Sequence, residues 1–229
     1  MQIAHEIELQ SKCKNCPNIV RFKEQFTSKE MAVHCIVMEY MPGGDLQQLL
    51  DANDYQPLSE AFARTITYQI SQALSYMHQH GIIHRDIKLE NVMLSNNRLN
   101  CNAKLADFGL AQWLDTTPAI DFDQSGQLKT RVAGTTGYQA PEVISHGAHS
   151  PVSDVWSLGC LLYAMITVAL PFAPNKSGVS TINYERFELD SLPVSDACKN
   201  LLTCMLKKEP SDRISIEQMQ VHPFFSESH

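Results

Sequence analysis

A near-continuous apolar run from Val155 to Phe172, without one charged side chain, limits this chain more than any other feature. A helix of that character either approaches the length of a membrane span or is enclosed on all sides by a large protein. Enclosure is favoured by Gly159, by the Ser153-Asp154 start, and by the absence of a basic flank that would orient a span. With 229 residues, 44% of them hydrophobic, the chain has enough apolar mass to surround such a helix. A formal charge of -7, with neither a basic block nor a basic amphipathic face, argues against nucleic acid or an anionic membrane as partner. Peptides and small molecules remain. Seven cysteines at irregular spacing and no N-terminal signal pattern fit a reducing compartment, so a cytoplasmic or nuclear location is expected. Cys13 and Cys16 form a C-x-x-C, but zinc would need a second pair.

The spacing of Phe62, Ile66, Ile70, Ala73, Leu74 and Met77 predicts an amphipathic helix from Ser59 to His80, with Ser59 as N-cap and Gly81 ending it. Ahead of it, Val33 to Tyr40 is β-prone, and Pro42-Gly43-Gly44 reads as a connection between two subregions. After Gly81, the apolar pieces Ile82-Ile83, Asn91 to Leu94 and Ala103 to Leu105 predict brief strands carrying loops, where catalytic groups tend to sit. Asp115 to Lys129 reads as a mobile loop, and Pro171 to Ser180 as another. A helix capped near Ser195 turns Leu201, Leu202, Met205 and Leu206 inward, and Ser215-Ile216-Glu217-Gln218 fits a capping box.

One loop, His84-Arg85-Asp86-Ile87-Lys88-Leu89-Glu90-Asn91, gathers a carboxylate, a lysine and a carboxamide, and Asp107-Phe108-Gly109 follows after a strand-like interval. These groups suit phosphoryl transfer, which needs an oriented hydroxyl and neutralisation of spreading negative charge more than covalent chemistry. Asp86 is placed to accept the hydroxyl proton and Lys88 to meet the transferring phosphate. Asn91 and Asp107 supply hard oxygen donors for Mg²⁺. The order H-R-D-x-x-x-x-N, D-F-G and then Ala140-Pro141-Glu142 resembles the signature of the eukaryotic Ser/Thr protein kinase family. The resemblance continues through Gly134 to Tyr138, through Asp154 to Gly159, and through Arg213 to His222-Pro223-Phe224-Phe225.

The resemblance implies an α+β, protein-kinase-like fold: a partial small lobe over residues 1–41 and a large helical lobe over 42–229. It implies ATP and Mg²⁺ as cofactors and a protein bearing Ser or Thr as substrate. Lys88, two residues beyond Asp86, matches the Ser/Thr rather than the tyrosine branch. Thr135 would bond into the catalytic loop, Glu142 would pair with Arg213, Asp154 would hold the loop backbone, and His84 would stack on Phe108. Met38 would be the gatekeeper, the backbone of Glu39 and Met41 would meet adenine, and Met93 would pack beneath the ring. Asp45 and Glu90 fall where acidic side chains bind arginine ahead of a target residue, which implies a basic upstream preference. Arg85 beside Asp86 implies regulation by phosphorylation between Asp107 and Glu142, with Thr130, flanked by Lys129 and Arg131, as the acceptor for an upstream kinase.

The sequence departs from the family pattern at its start. No G-x-G-x-x-G or strand lysine precedes Met38, and His5 to Leu9 resembles the helix that carries the lysine's partner, with Glu6 as the matching residue. Gln10 stands where the family buries an apolar side chain. Three readings follow: a fragment of an active enzyme, a catalytically impaired interaction module, or an enzyme completed by a partner. The first is preferred, because Asp86, Lys88, Asn91 and Asp107 have no joint stability rationale. Weak ATP binding by the chain as given and exposed apolar surface around Ile36 and Ile7 are expected.

Overall fold

The computed structural model describes residues 2–28, 33–96, 100–114, 121–122, 128–129, 133–172 and 189–226. At their centre lies α5, Pro151–Thr167, whose residues from Ser153 to Ile166 are all buried. The helix begins two residues earlier than the Ser153-Asp154 start expected from sequence. Ser150 is its N-cap and Pro151 occupies the first turn, where a missing N–H costs nothing. Beside it runs α3, Glu60–Gln79, capped by Ser59 and burying the expected stripe from Phe62 to Met77. α6, Asp196–Met205, and α7, Ile216–Gln220, close the core with Leu201, Leu202, Met205, Ile216 and Met219. Glu60 fastens two of these helices together: its carboxylate accepts hydrogen bonds from Ser195 N–H and Oγ, both at 2.7 Å, and is paired with Arg64.

Short strands fill one side of this body. β3, Ile82–Ile83, pairs with β6, Gln112–Trp113, and β4, Val92–Leu94, pairs with β5, Ala103–Leu105, both antiparallel. Above them β1, Phe22–Ser28, and β2, Val33–Met38, form an antiparallel ribbon, reached from α1, Gln2–Lys12. The ribbon is fastened at both ends. Val20 N–H donates to Leu105 O and Leu105 N–H to Asn18 O on the way in. On the way out, Gly43 N–H donates to Leu94 O at 2.9 Å, and α2, Leu46–Ala52, follows. Only glycine fits at Gly43, because a Cβ there would lie 2.7 Å from backbone atoms of Leu94 and Asn96.

Ile36 is partly exposed, and Phe26, Val33 and Met38 on the same ribbon are exposed, as the apolar-surface expectation requires. Ile7 departs from it: this side chain is buried, because α1 turns it inward together with Leu9. Gln10 is buried too, and its amide donates to Val20 O at 2.8 Å and to Met38 Sδ at 3.5 Å. A polar residue is therefore tolerated by bonding across to the ribbon. Within the stretch 115–129, read as a loop, Asp121–Phe122 pairs with Leu128–Lys129, a short ladder that its weak periodicity did not signal. Its other residues, together with Thr130 and residues 173–180 of the second loop, lie outside the described residues.

α4, Pro141–His146, is locked to the body by Glu142 and Arg213. The guanidinium holds the carboxylate bidentately at 2.7 and 2.9 Å, donates to Lys207 O and Val152 O, and stacks over Trp156. Removing one partner leaves the other charge buried and unpaired. Glu142→Ala should therefore destabilise the protein by about 3–5 kcal/mol, read as a lowered midpoint in urea unfolding.

Candidate active site

The loop from His84 to Asn91 leaves β3 and is held from beneath by one buried carboxylate. Asp154, in the first turn of α5, accepts from the backbone N–H of His84 and of Arg85 and bonds His78 Nε2, each at 2.9 Å. Burial alone would raise its carboxyl, but the His78 contact and the His84 N–H outweigh that and hold it below its usual value. Arg85 has a φ of 74°, a left-handed turn that redirects the chain just before Asp86. Gly134 lets the segment before α4 approach this turn, since a Cβ there would meet Arg85 O at 2.6 Å.

Asp86, Lys88, Asn91 and Thr135 form one bonded cluster. Thr135 Oγ1 donates to Asp86 Oδ1 at 2.7 Å, and Lys88 Nζ lies 3.0 Å from both Asp86 Oδ2 and Thr135 Oγ1. Asn91 Nδ2 donates to Asp86 O and Oδ2 at 2.8 and 3.1 Å, which leaves its amide oxygen as the outward acceptor. Burial pushes the Asp86 carboxyl up, yet the Thr135 and Lys88 contacts win and keep it lowered. Burial lowers Lys88, and its bond and charge contact with Asp86 more than restore it, so the ammonium is raised. The pair is thus a fixed carboxylate beside a fixed cation.

Asp107 follows β5 with a φ of 62°, is exposed, and accepts from Gly109 N–H at 3.0 Å. Its charge acts on both Lys88 and Glu6. Glu6 is raised by burial and then by Asp107, and among the described residues no lysine or arginine pairs with it. Phe108 turns inward and meets His84 edge-on, with ring centres 5.5 Å apart, while His84 Nε2 bonds Ala106 O. The Asp107 carboxylate and the Asn91 amide offer oxygens of the kind a small hard cation takes.

At the ribbon's exit, Glu39 N–H donates to Arg21 O and Gly44 N–H to Met41 O, and among the described residues the Glu39 carbonyl and the Met41 amide have no backbone partner. The Glu39 carboxylate is held by Lys104 at 2.6 and 2.8 Å. Met93 lies in β4, paired with Lys104 and bridged to Asp45. Asp45 caps α2, its Oδ1 accepting from Gln48 N–H at 2.8 Å. The cap engages one of the two oxygens of the Asp45 carboxylate. Sequence reasoning missed His78, Lys104 and Gln112, the last of which bonds the Arg85 guanidinium. His78 was findable, since it falls four residues after Leu74 on the buried stripe of α3.

A profile described as "Protein kinase domain" matches residues 1–225. The chain belongs to the protein kinase domain family. Relatives of this kinase domain include "Serine/threonine-protein kinase PLK4" of Drosophila willistoni, 33% identical over 98% of this chain and 27% of that protein. The Xenopus tropicalis protein of the same description is 33% identical over 98% of this chain and 22% of its own length. "Serine/threonine-protein kinase cds1" of Schizosaccharomyces pombe is 33% identical over 91% of the chain and 45% of its own. The chain thus spans less than half the length of each of these proteins.

Buried imidazoles give the kinase domain a pH dependence. His84 and His149 are both lowered, chiefly by burial, His149 to about 4. The unfolded chain takes up protons near pH 6.5 that the folded chain resists, so stability should fall as pH drops from about 6.5 toward about 4. His149→Phe should make that slope shallower between about pH 6.5 and 5, measured by urea unfolding, before most carboxylates titrate.

Proposed function

We propose that this kinase domain transfers the γ-phosphate of ATP to serine or threonine hydroxyls of proteins, with Mg²⁺. The observation that carries the reading is the bonded cluster of Asp86, Lys88, Asn91 and Thr135, with the charge of Asp107 felt at Lys88. Asp86, kept ionised by its partners, accepts the hydroxyl proton and aligns the oxygen for attack. Lys88 places its charge against the transferring group. The Asn91 amide oxygen and the Asp107 carboxylate would hold Mg²⁺, which would offset the negative charge of the phosphates. Adenine would meet the Glu39 carbonyl and the Met41 amide, with Met38 behind it and Met93 beneath. Substrates with a basic residue near Glu90 are favoured, Thr130 is the acceptor for an upstream kinase, and the cytoplasm or nucleus is the site of action.

Within these 229 residues the phosphates meet no glycine-rich strand pair and no strand lysine. An apparent KM for ATP above about 1 mM, beyond the usual upper range, is therefore expected. A second reading, an interaction module without turnover, is favoured by the neighbouring Glu6 and Asp107 carboxylates, whose repulsion no described cation relieves. Radiolabelled ATP with Mg²⁺ and a general protein acceptor separates the two. Incorporation that falls about 10²–10⁴-fold in Asp86→Asn supports transfer. Absence of incorporation at saturating nucleotide, or equal incorporation by Asp86→Asn, would overturn it.

A further inference from the structure

Lys104 and Glu39 form an ion pair that none of the chemistry above uses. Lys104 Nζ lies 2.6 Å from Glu39 Oε1 and 2.8 Å from Oε2, and Arg21 N–H donates to Oε2 at 3.2 Å. Glu39 N–H donates in turn to Arg21 O at 2.8 Å. Burial would raise the Glu39 carboxyl, but the Lys104 and Arg21 contacts outweigh it and hold the acid below its usual value. The pair joins two parts of the site that are far apart in the chain. Glu39 follows directly on β2, whereas Lys104 is the middle residue of β5 and stands opposite Met93 of β4. Directly opposed residues of an antiparallel pair project to the same face. The Lys104 side chain therefore starts beside Met93, the residue expected beneath the base, and ends at the segment expected along the base's edge.

The segment that carries Glu39 has little else to hold it. The ladder with β1 ends at Met38, and Tyr40 is 82% exposed, so neither a strand partner nor packing fixes the peptide between Glu39 and Tyr40. Met41 is buried again, and Gly43 N–H on Leu94 O is the next tie to the short strands. A carbonyl that is free to turn is a poor acceptor, because hydrogen bonds weaken steeply as they leave their preferred angle. With its N–H on Arg21 O and its carboxylate on Lys104, Glu39 is held at both its backbone and its side chain. These two ties fix the frame from which its carbonyl projects.

We propose that Lys104 is a positioning residue for base recognition: through the Glu39 carboxylate it keeps the Glu39 carbonyl aimed at the amino group of adenine, and so favours adenine over a 6-oxopurine. This rests on the adenine contacts proposed above. Adenine offers a donor at its 6-position, whereas hypoxanthine carries an oxygen there and a proton on the adjacent ring nitrogen, the reverse pattern. An acceptor held in place separates the two bases better than one that can turn. Displacement of fluorescent methylanthraniloyl-ADP by ADP and by IDP, with Mg²⁺, reads this discrimination without turnover. Lys104→Met should cut the preference for ADP over IDP about 3–10-fold, the scale of one hydrogen bond, chiefly by weakening ADP. A merely structural role would weaken both nucleotides alike and leave their ratio intact. Lys104→Arg should keep most of the preference. Glu39→Gln should match Lys104→Met, and the double variant should lose no more than either single one, because both remove the same pair. The pair is partly exposed, so the melting temperature of each variant should change little. An unchanged ratio in Lys104→Met, equal loss of both nucleotides, additive losses in the double variant, or no displacement by ADP up to about 10 mM would each refute the proposal. Phosphate incorporation with an unchanged ratio would defeat this proposal alone, and a ratio that collapses in Lys104→Met without any incorporation would defeat the transfer reading alone.

Discussion

The Asp154 carboxylate is the contact on which the rest of the site depends. It is fully enclosed, and its oxygens serve the His84 and Arg85 amides and the His78 ring. A charge so placed is tolerable only while every one of those donors stays in position. The first turn of the central helix therefore dictates the path of the loop, and the loop cannot relax without stranding an ion in the core. Rigidity at Asp86 is inherited from the core, two residues away along the chain and one hydrogen bond away in space.

Above this base, charge is balanced locally and unevenly. Asp86 and Lys88 neutralise each other through Thr135, a residue from a distant segment, so the segment before α4 and the catalytic loop are registered against each other. Glu142 and Arg213 repeat the pattern at the far end of that segment. Glu6 and Asp107 are different: two carboxylates are neighbours, and the Glu6 acid is raised, first by burial and then by Asp107. The compensated pairs hold the structure together, and the uncompensated pair is a place that attracts positive charge.

Much of this was legible in the sequence because it is written in local terms. The stripe from Phe62 to Met77 fixes a helix face, Ser59, Ser195 and Ser215 fix helix starts, and the spacing of Asp86, Lys88 and Asn91 brings those three side chains together. The start of α5 was misjudged because Ser153 and Asp154 look like caps, whereas Ser150 followed by proline is the stronger one. Contacts that depend on tertiary accident were not legible. Lys104 reaching Glu39, Gln112 reaching Arg85, and the double bond of Gln10 to Val20 and Met38 pair residues whose types carry no local signal. Ile7 was misplaced for the same reason, since its burial depends on how α1 lies against the ribbon.

The β1–β2 ribbon is tied at both feet to the same short strands. Val20 and Asn18 grip Leu105 on one side, while Gly43 grips Leu94 and Glu39 grips Lys104 on the other. Leu105 stands two residues before Asp107, so the anchor of the ribbon and that carboxylate are near neighbours in the chain. The footing of the ribbon beside the site is therefore made of backbone hydrogen bonds, which hold position more firmly than soft side-chain contacts would.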